Sequence, residues 1–395
     1  MKKKQIFYSK PVLDSSDLKC LKKVFDSTFL TQGPFIRKFE DVVAKYVNAK
    51  FAVSLNSATS ALHAACYSLG FKANDILWTV PNTFVGSANC AKYLNGKVNF
   101  VDINFKTKNI DIDLLKKKLH STSKKKLPKI LITVDFGGSP VNQDEIYKLS
   151  NKYGFKIIED ASHALGSIYK KQMVGSCKWS NITVFSFHPV KTITTGEGGM
   201  ITTNSKSIYE KLLMFRSHGI TRKKSKIKNN LEKKNDWYYE QQFLGFNYRL
   251  TDIAAALGLN QMKKIKKIII KRNQIAKFYN SELKSLPLAL PFVPPHALST
   301  YHLYSISILH SKHKLMQKKL YDYLKINGII ANLHYLPVHL HPYYREQGFK
   351  VNDYPASELH ANSSLSIPLY PDLSLENQKK ITTLIKEFFK RNIKN

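Results

Sequence analysis

The chain contains little arginine, little acid and little cysteine, and it has no long apolar run. Seven of its 62 basic residues are arginine, and the chain has 28 acidic residues. The planar guanidinium is the group that grips phosphates and base edges through two parallel hydrogen bonds, so its scarcity argues against nucleic-acid recognition. No stretch approaches the roughly 18 uninterrupted apolar residues that predict a membrane-spanning helix. The sequence therefore predicts a globular protein without membrane insertion.

The cysteines show no pattern of a metal site or a disulfide framework. They are Cys20, Cys66, Cys90 and Cys177. None belongs to a CxxC pair or stands at a zinc-ligand spacing from a histidine, so we expect no metal and four free thiols. The leading segment MKKKQIFYSKPVLDSSD is basic but lacks the apolar core of a secretory signal. Free thiols suit a reducing compartment, and we expect a cytoplasmic protein.

What the chain has in excess is lysine. The other 55 basic residues are lysines, and the formal net charge is +34 over 395 residues. Many stand in short runs, at 2–4, 116–118, 124–126, 223–228 and 263–267. A solvated lysine-rich surface is the simpler interpretation, and a surface that binds nucleic acid or another polyanion is the alternative. The charge alone does not decide the function.

Helical and strand patterns alternate over the first two-thirds of the chain. Helices are predicted at 35–47, 58–70, 84–94, 111–119 and 144–153. Strands are predicted at 51–55, 76–80, 98–101, 130–134, 156–158, 182–187 and 199–203. This alternation predicts an α/β fold in which helices cover a mostly parallel sheet.

The last third predicts a second, smaller unit. A long helical pattern over 251–283 is expected to bridge two domains, and a smaller α/β region follows Pro291, Pro294 and Pro295. We therefore expect a large domain over 1–260, with its N-terminal segment able to pack elsewhere, and a small C-terminal domain with the bridging helix over 261–395. The charged segment 221–236 is expected to be a surface loop.

Two loops after predicted strands carry polar groups suited to a ligand, because ligands of open α/β sheets bind at the carboxyl ends of strands. The first, NSATSA at 56–61, opens a helix whose free N–H groups attract a phosphate. An ordinary helix cap is the alternative. The second presents Asp160 and His163, which can bind a protonated ring nitrogen and a ring hydroxyl. A capping Asp beside a packed His is the alternative there.

A third loop holds Lys191, between an apolar strand and the glycines at 196, 198 and 199. No helix follows these glycines, so they are not a dinucleotide-binding fingerprint. A lysine withdrawn from water loses its proton more easily, which suits covalent chemistry on carbonyl compounds. A phosphate cradle, an acid for a ring nitrogen and an amine together predict pyridoxal 5'-phosphate, whose ring withdraws electrons.

Over essentially its whole length the chain resembles the DegT/StrS-type sugar aminotransferases, which have the PLP-dependent transferase fold type I. The resemblance rests on LTQGPFIRKFE at 30–40, NSATSAL at 56–62, EDASHALG at 159–166, SFHPVKTITTGEGG at 186–199, LGFNYRLTDIAAALGLNQ at 244–261 and LHYLPVHLHPYY at 333–344. The YSKPVLD start, the LTQG segment and the SFHPVKTITTGEGG motif are similar to the branch that serves pseudaminic acid biosynthesis. The resemblance implies the two-part α/β architecture expected above.

Carried onto this sequence, the resemblance implies two catalytic residues, Lys191 as the lysine that bonds to the cofactor and shuttles a proton, and Asp160 as the partner of the pyridinium nitrogen. The other implied cofactor contacts are Phe84 on the ring face, His163 at the ring hydroxyl, Ala58, Thr59 and Ser186 at the phosphate, and Asn247 from the neighbouring subunit. Some relatives use the position of Arg249 instead of Asn247. The implied substrate contacts are Tyr8, Thr31, His334 and Tyr335.

The implied activity is a PLP-dependent transamination, from glutamate to C4 of a UDP-linked 4-keto-6-deoxy-N-acetylhexosamine, by a homodimer. The alternatives are an aminotransferase for a bacillosamine- or perosamine-type nucleotide sugar, a sugar dehydratase of the same fold, and a non-catalytic basic binding protein. Dehydratases of this kind replace the lysine, typically with histidine, so Lys191 argues against that alternative. The sequence leaves the sugar, the nucleotide, the face of amination and the donor open.

Overall fold

The computed structural model describes residues 5–229 and 235–392. The strands of these residues are β1 (Ile6–Phe7), β2 (Phe51–Leu55), β3 (Ile76–Thr79), β4 (Lys97–Phe100), β5 (Ile130–Val134), β6 (Lys156–Asp160), β7 (Ile168–Tyr169), β8 (Gln172–Met173), β9 (Ile182–Ser186), β10 (Gly199–Thr203), β11 (Ile220–Thr221), β12 (Glu240–Gln241), β13 (Leu288–Ala289), β14 (Ala297–Leu298), β15 (Tyr304–Ile308), β16 (Ile329–Ile330) and β17 (Ser364–Ile367).

The α-helices are α1 (Ser15–Phe25), α2 (Pro34–Val47), α3 (Ala58–Ser68), α4 (Gly86–Lys92), α5 (Ile112–Ser121), α6 (Gln143–Tyr153), α7 (Lys206–Phe215), α8 (Asp252–Leu283), α9 (His313–Ile326), α10 (Pro342–Arg345), α11 (Pro355–Ser363) and α12 (Leu375–Asn392). Side-chain caps begin several of them. The Asp111 carboxylate accepts the N–H groups of Asp113 and Leu114 at the start of α5, and the Thr251 hydroxyl caps α8. Among the helices of the described residues, none combines the length and the apolar character needed to cross a membrane.

The main sheet has seven strands in the order β2-β10-β9-β6-β5-β3-β4. All are parallel except β10, which runs antiparallel to both of its neighbours. Every residue of β5 and β10 is buried, as expected for strands covered on both faces. The predicted α/β fold with a mostly parallel sheet is confirmed, whereas the reversal of β10 was not predicted from the sequence.

A second core lies towards the C-terminus. An antiparallel sheet of β13, β15 and β17 packs with apolar side chains of α9, α12 and the last turns of α8. The N-terminal strand β1 pairs in parallel with β16, so Ile6 joins this second core. The division into domains at residue 260 stays a prediction.

Two local expectations need correction or limits. The predicted helix over 84–94 is shorter, because α4 begins at Gly86 and Phe84 lies in the turn before it. Phe84 is 60% exposed, so it is not one of the apolar residues that face the core. Counting it among them placed the predicted start of the helix too early. In the segment 221–236, Lys223, Lys224 and Lys228 are exposed, whereas Lys226 is half-buried and forms an ion pair with Glu210. Residues 230–234 lie outside the described residues.

Candidate active site

The three loops singled out in the sequence meet at one edge of the main sheet. Leu55 at the end of β2 and Ser186 at the end of β9 both lie opposite Gly199 at the start of β10. Asp160 at the end of β6 lies opposite Val184 of β9. The carboxyl ends of three parallel strands and the start of the reversed strand therefore surround one space.

The first loop forms a cradle of backbone atoms that leaves no room for a side chain on Gly199 of the third loop. A Cβ atom on Gly199 would lie 2.4 Å from the carbonyl oxygen of Ser57 and 2.7 Å from the backbone nitrogen of Ala58, so the first and third loops touch there. Ser57 caps α3, its Oγ accepting the N–H of Ser60 at 3.1 Å. Ala58 and Thr59 are the first residues of α3, where backbone N–H groups lack helical partners and attract an anion.

Asp160 is buried and its two oxygens have different donors. Oδ2 accepts the hydroxyl of Ser87 at 2.6 Å. Oδ1 accepts the hydroxyl of Ser162 at 2.6 Å and its N–H at 3.2 Å. Ser87 lies on α4, one turn after Phe84. These donors fix the carboxylate at the strand end, where it can pair with a cationic ring nitrogen.

Lys191 lies in the loop after β9, and its surroundings make its amine easier to deprotonate. Burial lowers the pKa of Lys191 to about 8, although the charge of Asp160 acts in the opposite direction. The N–H of Lys191 donates to the carbonyl oxygen of His188 at 2.9 Å, which closes a turn. The hydroxyl of Ser9 donates to the carbonyl oxygen of Val190 at 3.1 Å, so the N-terminal segment supports this loop.

The hydrogen bonds of His163 define its tautomer. The N–H of Gly137 donates to Nδ1 at 3.2 Å, so the ring proton is on Nε2, which donates to the hydroxyl oxygen of Tyr335 at 3.0 Å. Burial, with the nearby charge of Lys191, holds the pKa of His163 well below its usual value, so the ring is neutral. The His302 ring packs against it with centroids 4.3 Å apart.

Three of the four residues predicted to bind substrate gather beside this group. The rings of Tyr8 and His334 have centroids 5.2 Å apart, and Tyr335 follows directly in the chain. Nδ1 of His334 lies 2.9 Å from the hydroxyl of Ser366. Burial lowers the pKa of His334 to about 3, and the charge of Lys191 acts in the same direction.

Thr31 and Asn247 are not part of this group, although Asn247 precedes Tyr248, whose carbonyl oxygen accepts the N–H of Asn56 in the first loop at 2.9 Å. Thr31 is exposed and forms a β-bridge with Thr251, and Asn247 is exposed and bridges Ser217. Among the described residues, neither has a hydrogen bond or ring contact with Lys191, Asp160 or His163. The exposed Phe84 precedes α4 on the same sheet edge as Asp160.

Sequence reasoning missed several neighbours of these residues. Ser87 and Ser162 hold Asp160, Gly137 sets the tautomer of His163, His302 packs on that ring, and the Asn82 carboxamide oxygen accepts the N–H of Tyr335 at 3.3 Å. Ser162 was visible beside Asp160, but nothing in the sequence marks the other contacts, which join residues far apart in the chain.

The residues fit pyridoxal phosphate, which presents a phosphate, a basic ring nitrogen, a ring hydroxyl and an aldehyde. The glycine-dependent cradle at Ala58 and Thr59 with Ser186, the buried acceptor Asp160, the neutral His163 and the amine of Lys191 offer a partner to each. The α/β fold is that of the PLP-dependent transferases of fold type I.

Residues 11–386 match the DegT/DnrJ/EryC1/StrS aminotransferase family, and the chain belongs to that family. A UDP-4-amino-4,6-dideoxy-N-acetyl-beta-L-altrosamine transaminase of Campylobacter jejuni is 38% identical over 377 residues, which cover 95% of each chain. The structure of Helicobacter pylori PseC, an aminotransferase involved in the biosynthesis of pseudoaminic acid, matches with a TM-score of 0.87 and 33% identity, covering 98% of this chain and 100% of the other. The Streptococcus pneumoniae protein Spr1654, solved in its PLP form, matches with a TM-score of 0.89 and 25% identity over 98% and 99% of the two chains. The protein is thus an aminotransferase.

Proposed function

We propose that this aminotransferase uses pyridoxal phosphate to transfer an amino group from glutamate to C4 of a UDP-linked 4-keto-6-deoxy-N-acetylhexosamine, in pseudaminic acid-type surface glycan biosynthesis. The observation that carries the chemistry is the convergence of Lys191, Asp160 and His163 at one sheet edge. The sugar is supported by relatives named for an altrosamine transaminase, at 34–38% identity over almost the full chain.

Pyridoxal phosphate, when bound, withdraws electrons from the carbon that loses or gains a proton. In this proposal the carboxylate of Asp160 keeps the ring nitrogen protonated, while Ser87 and Ser162 hold the carboxylate in place. Ala58, Thr59 and Ser186 bind the phosphate, and the exposed ring of Phe84 covers one face of the cofactor. The neutral His163 would contact the ring hydroxyl through its Nε2–H, which donates to Tyr335 in the structure.

Lys191 has two roles in this proposal. Its Nζ holds the cofactor covalently until the amino donor takes its place. The freed Nζ then takes the proton from the α-carbon of the donor and, in the reverse direction, returns a proton to C4 of the sugar. A pKa of about 8 leaves part of the amine neutral at physiological pH, so the same group can both accept and deliver a proton.

The wall formed by Tyr8, His334 and Tyr335 is proposed to bind the sugar. Thr31 and Asn247 are exposed and, among the described residues, have no hydrogen bond or ring contact with this wall. We propose that they complete the site of a second copy, with Asn247 at its cofactor phosphate. The enzyme would then be a homodimer. We also propose that it acts in the cytoplasm, where its four free cysteines stay reduced.

In this proposal the net charge of +34 speeds the encounter with the substrate, because a basic surface attracts a molecule that carries a diphosphate. The rate constant kcat/KM should then fall as ionic strength rises. A kcat/KM that does not change with ionic strength would contradict this role.

The proposal is tested by assaying the purified enzyme with glutamate and UDP- or GDP-linked 4-keto sugars, with the product followed by NMR. We expect amination at C4 of the UDP-linked N-acetyl sugar and little turnover of the GDP-linked sugar. Preferred turnover of a GDP-linked sugar would favour a perosamine-type reaction, and the configuration at C4 would separate altrosamine-type from bacillosamine-type products. No amination of any keto sugar would overturn the proposed function.

A further inference from the structure

A small cavity lies next to the turn at Gly137, whose N–H donates to Nδ1 of His163. Its volume is about 30 Å³, and its walls include Thr107, Lys108, Phe136, Phe292, Leu303 and Ser305. A cavity of this size accepts one occupant of about the size of a water molecule. It is too small for a phosphate, an amino acid or a nucleotide.

Two of its polar side chains are more than nine-tenths buried and have no partner. Lys108 is 8% exposed and Ser305 is 6% exposed. Within residues 5–229 and 235–392, neither Nζ of Lys108 nor Oγ of Ser305 has a hydrogen-bond partner. The hydroxyl of Ser139, also on the cavity wall, already donates to the carbonyl oxygen of Phe292 at 3.3 Å. Burying a polar group without a hydrogen-bond partner costs free energy, so we expect both atoms to have a partner in the cavity.

Lys108 also lacks a counter-charge. No carboxylate of the described residues forms an ion pair with its Nζ, which lies 3.2 Å from the centre of the Phe105 ring. An aromatic face attracts a cation but does not neutralise it. Burial lowers the pKa of Lys108 to about 7, as expected for an amine that is withdrawn from water without an acidic partner.

We propose that this cavity binds a small monovalent anion of the halide class between Nζ of Lys108 and Oγ of Ser305. The anion supplies the missing counter-charge to Lys108 and accepts a hydrogen bond from the hydroxyl of Ser305. The apolar rings of Phe136 and Phe292 suit a weakly hydrated anion, and the small volume excludes larger ones. The inference does not depend on the sugar or on the reaction proposed above.

The proposed anion lies against elements that shape the active site. Phe136 is adjacent to Gly137, whose N–H holds Nδ1 of His163. The side chain of Asn82 donates to the carbonyl oxygen of Lys108 at 3.4 Å and accepts the N–H of Tyr335 at 3.3 Å. An occupant that fixes Lys108 therefore also supports the backbone that carries Tyr335.

Crystals of the full chain grown in sodium bromide test the site directly. We expect a bromide anomalous peak between Lys108 and Ser305 in the wild type and no peak in Lys108→Met. Lys117→Met is the control, because Lys117 is an exposed lysine on α5 and does not line the cavity, and this variant should keep the peak. Ordered water at this position in the wild type, without an anomalous signal, would overturn the proposal.

A solution measurement covers the case in which Lys108→Met fails to fold. The Tm of the wild type should be higher in sodium chloride than in sodium gluconate at equal ionic strength, by about 2 °C. The difference should shrink in Ser305→Ala and persist in Lys117→Met, and it should vanish in Lys108→Met where that variant folds. Equal Tm values of the wild type in the two salts would count against an anion site.

Discussion

The two ends of the candidate active site are built in different ways. The cofactor end, around Lys191, Asp160 and the start of α3, comes from loops that directly follow strands of the main sheet. The substrate end, around Tyr8, His334 and Tyr335, comes from the N-terminal segment and the C-terminal region. The first end is assembled by the order of strands in one sheet. The second depends on how distant segments pack against that sheet.

The electrostatics of the two ends also differ. The cofactor end keeps a carboxylate supported by two hydroxyl donors and an amine that titrates near neutrality. At the substrate end burial favours the neutral forms, because it lowers the pKa of His334 and raises that of Tyr335. One end is suited to hold charge and move protons, whereas the other offers neutral hydrogen-bonding groups to a sugar.

The strongest test of the comparison is Lys191→Ala. We expect transamination to fall by at least about a thousandfold, because both the covalent attachment of the cofactor and the proton transfer are lost. The measurement is single-turnover amination of the keto sugar, together with the absorbance of the purified protein before and after borohydride.

Lys211→Ala is the matched control, since Lys211 is an exposed lysine on α7. It should have wild-type activity and a wild-type spectrum. A purified Lys191→Ala protein with substantial turnover would show that another of the 55 lysines performs the chemistry and would remove Lys191 from the cofactor end.

The second test separates cofactor binding from substrate binding. In Gly199→Ala the new Cβ would meet the Ser57 carbonyl and the Ala58 nitrogen, so the start of α3 must move. We expect the Kd for pyridoxal phosphate to rise by about 10- to 100-fold, as when a charge-assisted hydrogen bond to the phosphate is lost. The KM for the sugar, measured at saturating cofactor, should stay close to that of the wild type.

Thr203→Ala, at the other end of the same strand, is the control and should leave the Kd for the cofactor unchanged. An unaltered Kd in Gly199→Ala, measured by equilibrium dialysis, would mean that the cradle is not the phosphate site.

The sequence predicts the residues of the cofactor end better than it predicts contacts between distant segments of the chain. Ala58, Asp160 and Lys191 each stand within a few residues of a strand end, so a motif and the strand order suffice to bring them together. The seven strands of the main sheet were predictable as short apolar runs, and the bounds of α2 to α6 and α8 were predicted to within two residues. The helices α1, α7 and α9 to α12 were not predicted. The reversal of β10, the bond of Ser87 to Asp160 and the packing of His302 against His163 were not predictable, because they depend on contacts between residues far apart in the chain.

The third test concerns the substrate end. Tyr335→Phe removes the oxygen that accepts the Nε2 proton of His163, while Gly137 still holds Nδ1. We expect the KM for the keto sugar to rise by about 5- to 10-fold, the effect of one neutral hydrogen bond, with little change in the Kd for the cofactor. Steady-state kinetics and cofactor dialysis on the same preparation measure both. A raised Kd for the cofactor with an unchanged KM would move Tyr335 to the cofactor end.

The smallest expected effect concerns stability beneath the cofactor end. Glu159 precedes Asp160 on β6, is buried and accepts the hydroxyl of Thr183 at 2.7 Å. Burial raises the pKa of Glu159 to about 7 in the folded protein, although the Thr183 hydrogen bond acts in the opposite direction. The folded state therefore binds this proton more tightly than the unfolded state, whose pKa is near the ordinary value. The stability that the protonated group contributes is complete below the ordinary pKa and is lost as pH rises through the folded pKa.

Glu159→Gln removes this contribution, because an amide does not titrate. The free energy of unfolding of the wild type, relative to that of the variant, should fall by about 1 kcal/mol between about pH 6 and pH 8. Urea denaturation at several pH values measures the difference, and the comparison cancels groups that Glu159 does not influence, such as Lys108. The buried Asp135, whose pKa the charge of Glu159 raises, adds to the difference in the same pH range. Glu376→Gln, at an exposed acid on α12, should follow the wild type at every pH. Parallel curves for the wild type and Glu159→Gln would mean that Glu159 is already ionised at pH 6, and that the strand bearing Asp160 carries a second buried negative charge.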